Sequence, residues 1–348
     1  MSNSLVSEGK RPVLLLGSVP LGSARAVFEA VGSSLGGLVR RIPDGETGPR
    51  WNWIVWQGDV IKATKGLETG GTREIPGVGR RFELKRLKSG VRPNDLEFGP
   101  LGYSKAALDS YQTFVQLRAN GKIPAGARFQ VSLPTPIAVV WSFFVREAVR
   151  PILPVYEAKL FQEADEIART IPHEDLAIQW DVAVEFACIL EVPDEAKFYG
   201  TEELISAIAR CVDRVPSDVE AGVHFCYGDP GHKHLVEPKD TGLMVELANG
   251  VTAGSGRPIT WLHLPVPRNR DDDPYFAPLR SLRLKPETEL YLGLVHRTDG
   301  IEGAKRRLAA TKRVVSEFGI ATECGLGRRP PETIPELLTL HREIALLG

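Results

Sequence analysis

Arg11-Pro-Val-Leu-Leu-Leu16 is an unbroken apolar run that stops at Gly17-Ser-Val-Pro20. A strand with one wet face alternates apolar and polar residues; a run without alternation suits a strand covered on both faces, as in parallel sheets flanked by helices. The next stretch, Ala24 to Leu35, has helical periodicity, and a second short strand, Gly37-Leu-Val-Arg-Arg-Ile42, follows it. This order repeats down the chain. Further strands are expected at 128–136, 175–180, 220–226, 259–263, 289–295 and 319–322, and further helices at 104–119, 154–168, 202–212, 240–248, 303–318 and 331–347. About eight strands alternating with helices close most simply, through right-handed parallel connections, into a (β/α)8 barrel. An open doubly wound sheet is the alternative, but no Gly-x-Gly-x-x-Gly turn follows a strand here. With no internal repeat and no linker, a single domain over 1–348 is expected.

Residues 62–100 interrupt this order. They are rich in Gly, Arg and Lys with poor periodicity, and read as a long loop insertion on the catalytic face, a length unusual unless it serves as a lid or binding loop. Just before it, Trp51-Asn-Trp53-Ile-Val-Trp56 is expected to pack a helix onto the sheet, with a pocket wall as the other reading.

The whole-chain composition excludes several classes of function. A net charge of −1 with 25% charged residues carries no bias toward polyanions, so nucleic acid is not an expected partner. No apolar run approaches a membrane span, and Met1 to Glu8 lacks the basic start and apolar core of a signal peptide. A cytoplasmic location is expected. The four cysteines, Cys188, Cys211, Cys226 and Cys324, are too few and scattered for a disulfide scaffold, and a reducing compartment suits them.

Polar residues recur at the C-terminal ends of the expected strands, where barrels of this kind keep their active sites: Ser18, Glu46, Thr135, Asp181, His224, Cys226, His263, His296 and Cys324. In Ala221-Gly-Val-His-Phe-Cys226 the imidazole and the thiol are two residues apart, on one side of a strand, so both can reach one metal ion. Cys324, after the run Phe318-Gly-Ile-Ala321, can complete an N/S/S set of the kind a catalytic zinc ion favours. The bland reading is that both cysteines are small buried apolar residues. His263 reads as a fourth ligand, as a donor behind the ligands, or as a plain strand-end residue. His232 and His234 sit in a loop rich in Pro, Lys and Asp and read as solvated.

Six of these pieces, in one order, resemble the catalytic barrel of cobalamin-independent methionine synthase, in the uroporphyrinogen-decarboxylase/methionine-synthase-like superfamily. They are Leu16-Gly-Ser-Val-Pro20, Asp44-Gly-Glu46 with Arg50, Ile178-Gln-Trp-Asp181, His224-Phe-Cys226-Tyr227, Val295-His296 and Cys324-Gly-Leu326. The resemblance implies zinc held by His224, Cys226 and Cys324. It implies Ser18, Glu46 and Asp181 around the carboxylate and amine of an amino-acid thiol, and His296 as proton donor near the leaving group. Where the family places a glutamate as fourth ligand this chain has His263, with Glu246 nearby on a helix, and the family's Asp-Glu-Pro is Asp181-Val-Ala183 here. The implied activity is a zinc-dependent transfer of a methyl or other alkyl group to a zinc-bound thiol. The partners are then a small-molecule thiol acceptor and an alkyl donor, whether a folate, a corrinoid protein or another carrier; self-association into a homo-oligomer is left open. A zinc-dependent epoxide-opening thiol transferase or C–S lyase on the same barrel is the enzymatic alternative, and a non-catalytic barrel with structural zinc the alternative of another class.

Overall fold

Seven parallel strands carry the molecule: β1 (Arg41–Pro43), β4 (Arg128–Pro134), β5 (Leu176–Val182), β6 (Glu220–Phe225), β7 (Trp261–Pro265), β8 (Glu289–Val295) and β9 (Gly319–Thr322), adjacent in that order. The intervening β2 (Leu67–Glu74) and β3 (Arg81–Leu87) form a separate antiparallel hairpin. The structure is a computed structural model and describes residues 9–74, 81–186, 198–228, 234 and 237–347. The helices include α1 (Ala24–Leu35), α2 (Gln57–Ala63), α3 (Tyr103–Ala119), α4 (Pro136–Phe143), α5 (Arg146–Thr170), α6 (Thr201–Arg214), α7 (Gly242–Gly254), then the single turn Asp273–Phe276, α8 (Gly300–Lys312) and α9 (Ile334–Ala345). No helix among the described residues is long and apolar enough to cross a membrane.

The sheet is curled but is not a closed eight-stranded barrel, which corrects the expected count. The run from Arg11 to Leu16 lies between β1 and β9, yet it makes only isolated parallel bridges, from Val13 to Val39 and to Ile320. Its early peptide groups do bond to the neighbours, Val13 N–H to the Leu38 carbonyl at 2.8 Å and Leu14 N–H to that of Ile320 at 2.9 Å. Beyond them side chains take over. Gln130 Nε2 donates to the Leu15 carbonyl at 2.9 Å and Gln179 Nε2 to that of Leu16 at 3.3 Å, so these two carbonyls are met by side chains from inside the curl in place of a ladder.

The period of two sorts this run between two cores. Val13 and Leu15 join the large core under the helices, while Leu14 and Leu16 join a small inner cluster with Ala177, Trp261, Tyr291 and Ala321. Gly222 follows from that inner packing, because a Cβ there would lie 1.8 Å from the Trp261 ring. At the strand N-termini Arg41 fills the centre: its Nε bonds Glu220 at 2.5 Å, its Nη1 bonds Glu289 at 2.7 Å, and its guanidinium lies 4.3 Å from the Trp261 ring centroid. This end is plugged by a buried ion cluster, which leaves the C-terminal ends for chemistry.

The 62–100 segment is not a structureless loop. Strands β2 and β3 pair along their length, with a bulge between Thr69 and Gly71, and the hairpin is docked by Val145 N–H on the Lys85 carbonyl at 3.0 Å and by the Phe82–Phe143 ring pair at 6.2 Å. Its periodicity is weak because only Leu67, Leu84 and Lys85 are buried among its strand residues, the rest being half-buried or exposed. The tryptophan stretch also departs from expectation: Gly48–Asn52 is a 3-10 turn leading into α2, and Trp53 sits at φ 50°, in the left-handed region.

Candidate metal and acid-pair site

Strand β6 delivers His224 near its end, and Cys226 follows one residue past it, kept on the sheet by its N–H to the Val182 carbonyl at 2.9 Å. Cys324 comes from the turn after β9, where Thr322 Oγ1 donates to the Cys324 carbonyl at 2.7 Å. That turn is tied to the first strand-end loop: Leu326 N–H bonds the Ser18 carbonyl at 2.8 Å and Gly327 N–H bonds Ser18 Oγ at 3.1 Å. One donor atom from each of His224, Cys226 and Cys324 lies within 4.8 Å of the others, and the two sulfurs, both free of disulfides, are 3.5 Å apart. Two thiolates each ~2.3 Å from a tetrahedral zinc would be separated by about 3.8 Å. The N/S/S set therefore fits zinc in both chemistry and spacing.

His263 stands opposite His224 in the β6–β7 register. Its Nδ1 is 2.8 Å from His224 Nδ1, and its Nε2 is 3.1 Å from the Thr322 carbonyl. Both ring nitrogens are thus occupied, and His263 lies outside the three-residue donor group. Burial, reinforced by His224, pushes its pKa well below the usual imidazole range.

Next to this group lies an acid pair. Glu46 projects from the turn after β1 at φ 49°, a position braced by Asp44, which accepts Glu46 N–H at 2.8 Å, Arg50 Nη2 at 2.6 Å and Ser110 Oγ at 2.8 Å. Asp181 near the end of β5 accepts from Gln179 Nε2 at 2.9 Å and from the Trp53 indole. Burial raises the pKa of both carboxyls; Arg50 opposes the shift at Glu46, which reaches about 8, while the Glu46 charge adds to the rise at Asp181. Cys324 adds to both shifts, which places the pair beside the sulfur group. Arg328 supplies the nearby cation, with Nη2 3.5 Å from the Cys324 sulfur.

His296, just past β8, donates Nε2–H to the Val266 carbonyl at 2.8 Å, and its Nδ1 is 3.9 Å from Glu323. Burial and the Arg307 charge push its pKa down to about 3, so at rest it is neutral with an open acceptor nitrogen. The other Glu323 oxygen bonds His234 Nε2 at 2.5 Å. Burial opposes protonation of His234, but Glu323 and Glu237 outweigh it and raise its pKa to about 9. The sequence singled out neither Glu323 nor Arg328, whose available signal was adjacency to Cys324; Trp53 was marked there only as part of a tryptophan stretch that packs a helix or walls a pocket, and it bonds Asp181. His234, expected to be solvated, is instead mostly buried, while His232 and Lys233 lie outside the described residues.

Glu185, four residues after Asp181, is fully buried with its carboxyl on the Thr135 hydroxyl, and burial raises its pKa from 4.5 to about 7. A carboxyl that binds its proton more tightly when folded stabilises most below the unfolded pKa and loses that contribution as pH rises toward the folded one. Stability is accordingly expected to fall between about pH 4.5 and 7 by on the order of 3 kcal/mol. Glu185→Gln should flatten that slope. Urea midpoints measured across this range that decline equally in wild type and variant would assign the slope to other groups.

No family model matches the sequence, and no curated protein matches it. Solved structures do match. The B12-independent methionine synthase of Shewanella sp., solved with selenomethionine, superposes with TM-score 0.62 at 15% identity over 97% of this chain and 96% of that one. The Listeria monocytogenes protein assigned as a vitamin-B12-independent methionine synthase gives TM-score 0.55 at 13% identity over 92% and 86%. At these identities the likeness speaks for the fold, an α/β barrel-like architecture spanning nearly the whole chain.

Proposed function

We propose that the protein is a zinc-dependent transferase that moves a methyl or other alkyl group to a thiol. The observation that carries this reading is the juxtaposition of an N/S/S donor group with the buried carboxyls of Glu46 and Asp181 at the strand C-termini. Zinc bound there would supply the positive charge that holds an incoming thiol as its thiolate at neutral pH. The protein's own groups do the rest. Glu46 and Asp181 offer a site for the ammonium of an amino-acid thiol, since a cation favours the ionised form of two carboxyls whose burial favours the neutral one. Ser18, fixed by its bonds to the Cys324 turn, couples that site to the metal group. The general-acid role of His296 requires a proton on Nδ1, the nitrogen facing Glu323, because Nε2 already donates to Val266. The fold shared with the two methionine synthases supports the same reading, as do the six sequence motifs.

Calorimetric titration of zinc-loaded protein with L-homocysteine, and with the same thiol lacking its amine, tests the acceptor site. Homocysteine is expected to bind more tightly, and Glu46→Gln to weaken it by about 1.5–3 kcal/mol, roughly 10- to 150-fold, while leaving zinc in place. Equal affinity for both thiols would move the acceptor to a thiol without an amine and favour the epoxide-opening alternative.

A further inference from the structure

We infer that His263 is a positioning residue that selects which nitrogen of His224 meets the metal, and is not itself a ligand. This rests on the zinc reading above and adds a prediction about the fourth coordination position. The argument starts at Thr322, whose carbonyl can only accept. The His263 Nε2 atom 3.1 Å away must therefore carry the hydrogen. With the ring's one N–H placed on Nε2, His263 Nδ1 is left as the acceptor; the Phe225 backbone lies against the same ring. The His224 Nδ1 that faces it at 2.8 Å must then be the donor. That leaves the lone pair of His224 on Nε2, free to bind a metal.

Secondary structure sets up this chain of bonds. Register pairs His224 with His263 across β6 and β7, and Thr322 is the last residue of β9, two before Cys324. The rings lie 4.7 Å apart, tilted with 55° between their planes, and the nitrogen-to-nitrogen contact closes the gap between them. Had His263 been a ligand through Nδ1, its donor atom would belong with the three that lie within 4.8 Å of each other, and it does not. His263 thus takes the place of a ligand in sequence but acts through His224, and a bound metal would have three protein ligands among the described residues and one open position. Open positions distinguish catalytic zinc sites from structural ones.

Two measurements on the full chain test this. Zinc K-edge X-ray absorption of the wild-type protein should show two sulfurs, one imidazole and one light O/N atom; two imidazoles would overturn the inference without touching the zinc reading, whereas absence of zinc would overturn both. Chelator competition should then show zinc binding weakened about 10- to 100-fold in His263→Phe, the usual cost of losing a partner behind a ligand. His263→Asn, whose amide oxygen can still accept from His224, should recover most of it. Affinity unchanged in the Phe variant, or lost equally in both, would also overturn the inference.

Discussion

The wild-type protein is expected to carry roughly one zinc per chain, and Cys324→Ser and Cys226→Ser are each expected to lose most of it. Structural zinc sites bind with about 10–16 kcal/mol at neutral pH, so one of three or four ligands accounts for about 3–4 kcal/mol, or on the order of 10²- to 10³-fold in affinity. Serine keeps the size but not the soft sulfur, and the remaining pair cannot enclose the ion. Cys211 provides the control, because it is buried in α6 and belongs to no donor group among the described residues. Cys211→Ala should retain its metal. Plasma emission spectrometry on dialysed protein decides the matter: full zinc in both serine variants would remove the metal centre and, with it, the reading built on it.

Arg41→Ala is expected to have the largest effect on stability. The guanidinium is 2% exposed, bonded to Glu220 and Glu289 and seated on the Trp261 ring. Removing one partner of a buried ion cluster strands the others, at a cost on the order of 3–5 kcal/mol. For a chain of 348 residues this corresponds to a fall in Tm of about 5 °C. Arg40 and Arg128, which also pair with Glu289 and Glu220, hold the loss near the lower end of the range. Replacing Arg41 by Met together with Glu289 by Leu should recover part of it, since the same space is then filled without a stranded charge. A single alanine variant that unfolds at the wild-type urea concentration would show that water reaches this end of the sheet.

Much of the site was legible in the chain because its chemistry is carried by short segments at strand ends. His224 and Cys226 lie two apart on one side of β6, and that relation is local. Glu46 and Asp181 were legible for the same reason, each closing a buried strand. The hairpin was not, because β2 and β3 bury too few side chains to leave an alternation, and their pairing is a relation between two segments rather than a property of either.

Periodicity and spacing by themselves determined the parallel α/β plan, the order of its elements and the residues that end its strands, since burial on both faces and helical spacing are written locally. Tertiary structure alone decided two things. The run Arg11 to Leu16 became a bridged segment in place of an eighth full strand because Gln130 and Gln179, distant in sequence, reach its carbonyls. His263 set its two nitrogens against His224 and the Thr322 carbonyl and stayed outside the His224, Cys226 and Cys324 donor group, because strand register and the end of β9 fix which atoms its ring meets. Hydrogen-bond direction depends on which atoms the fold brings within about 3 Å, and no stretch of sequence carries that information alone.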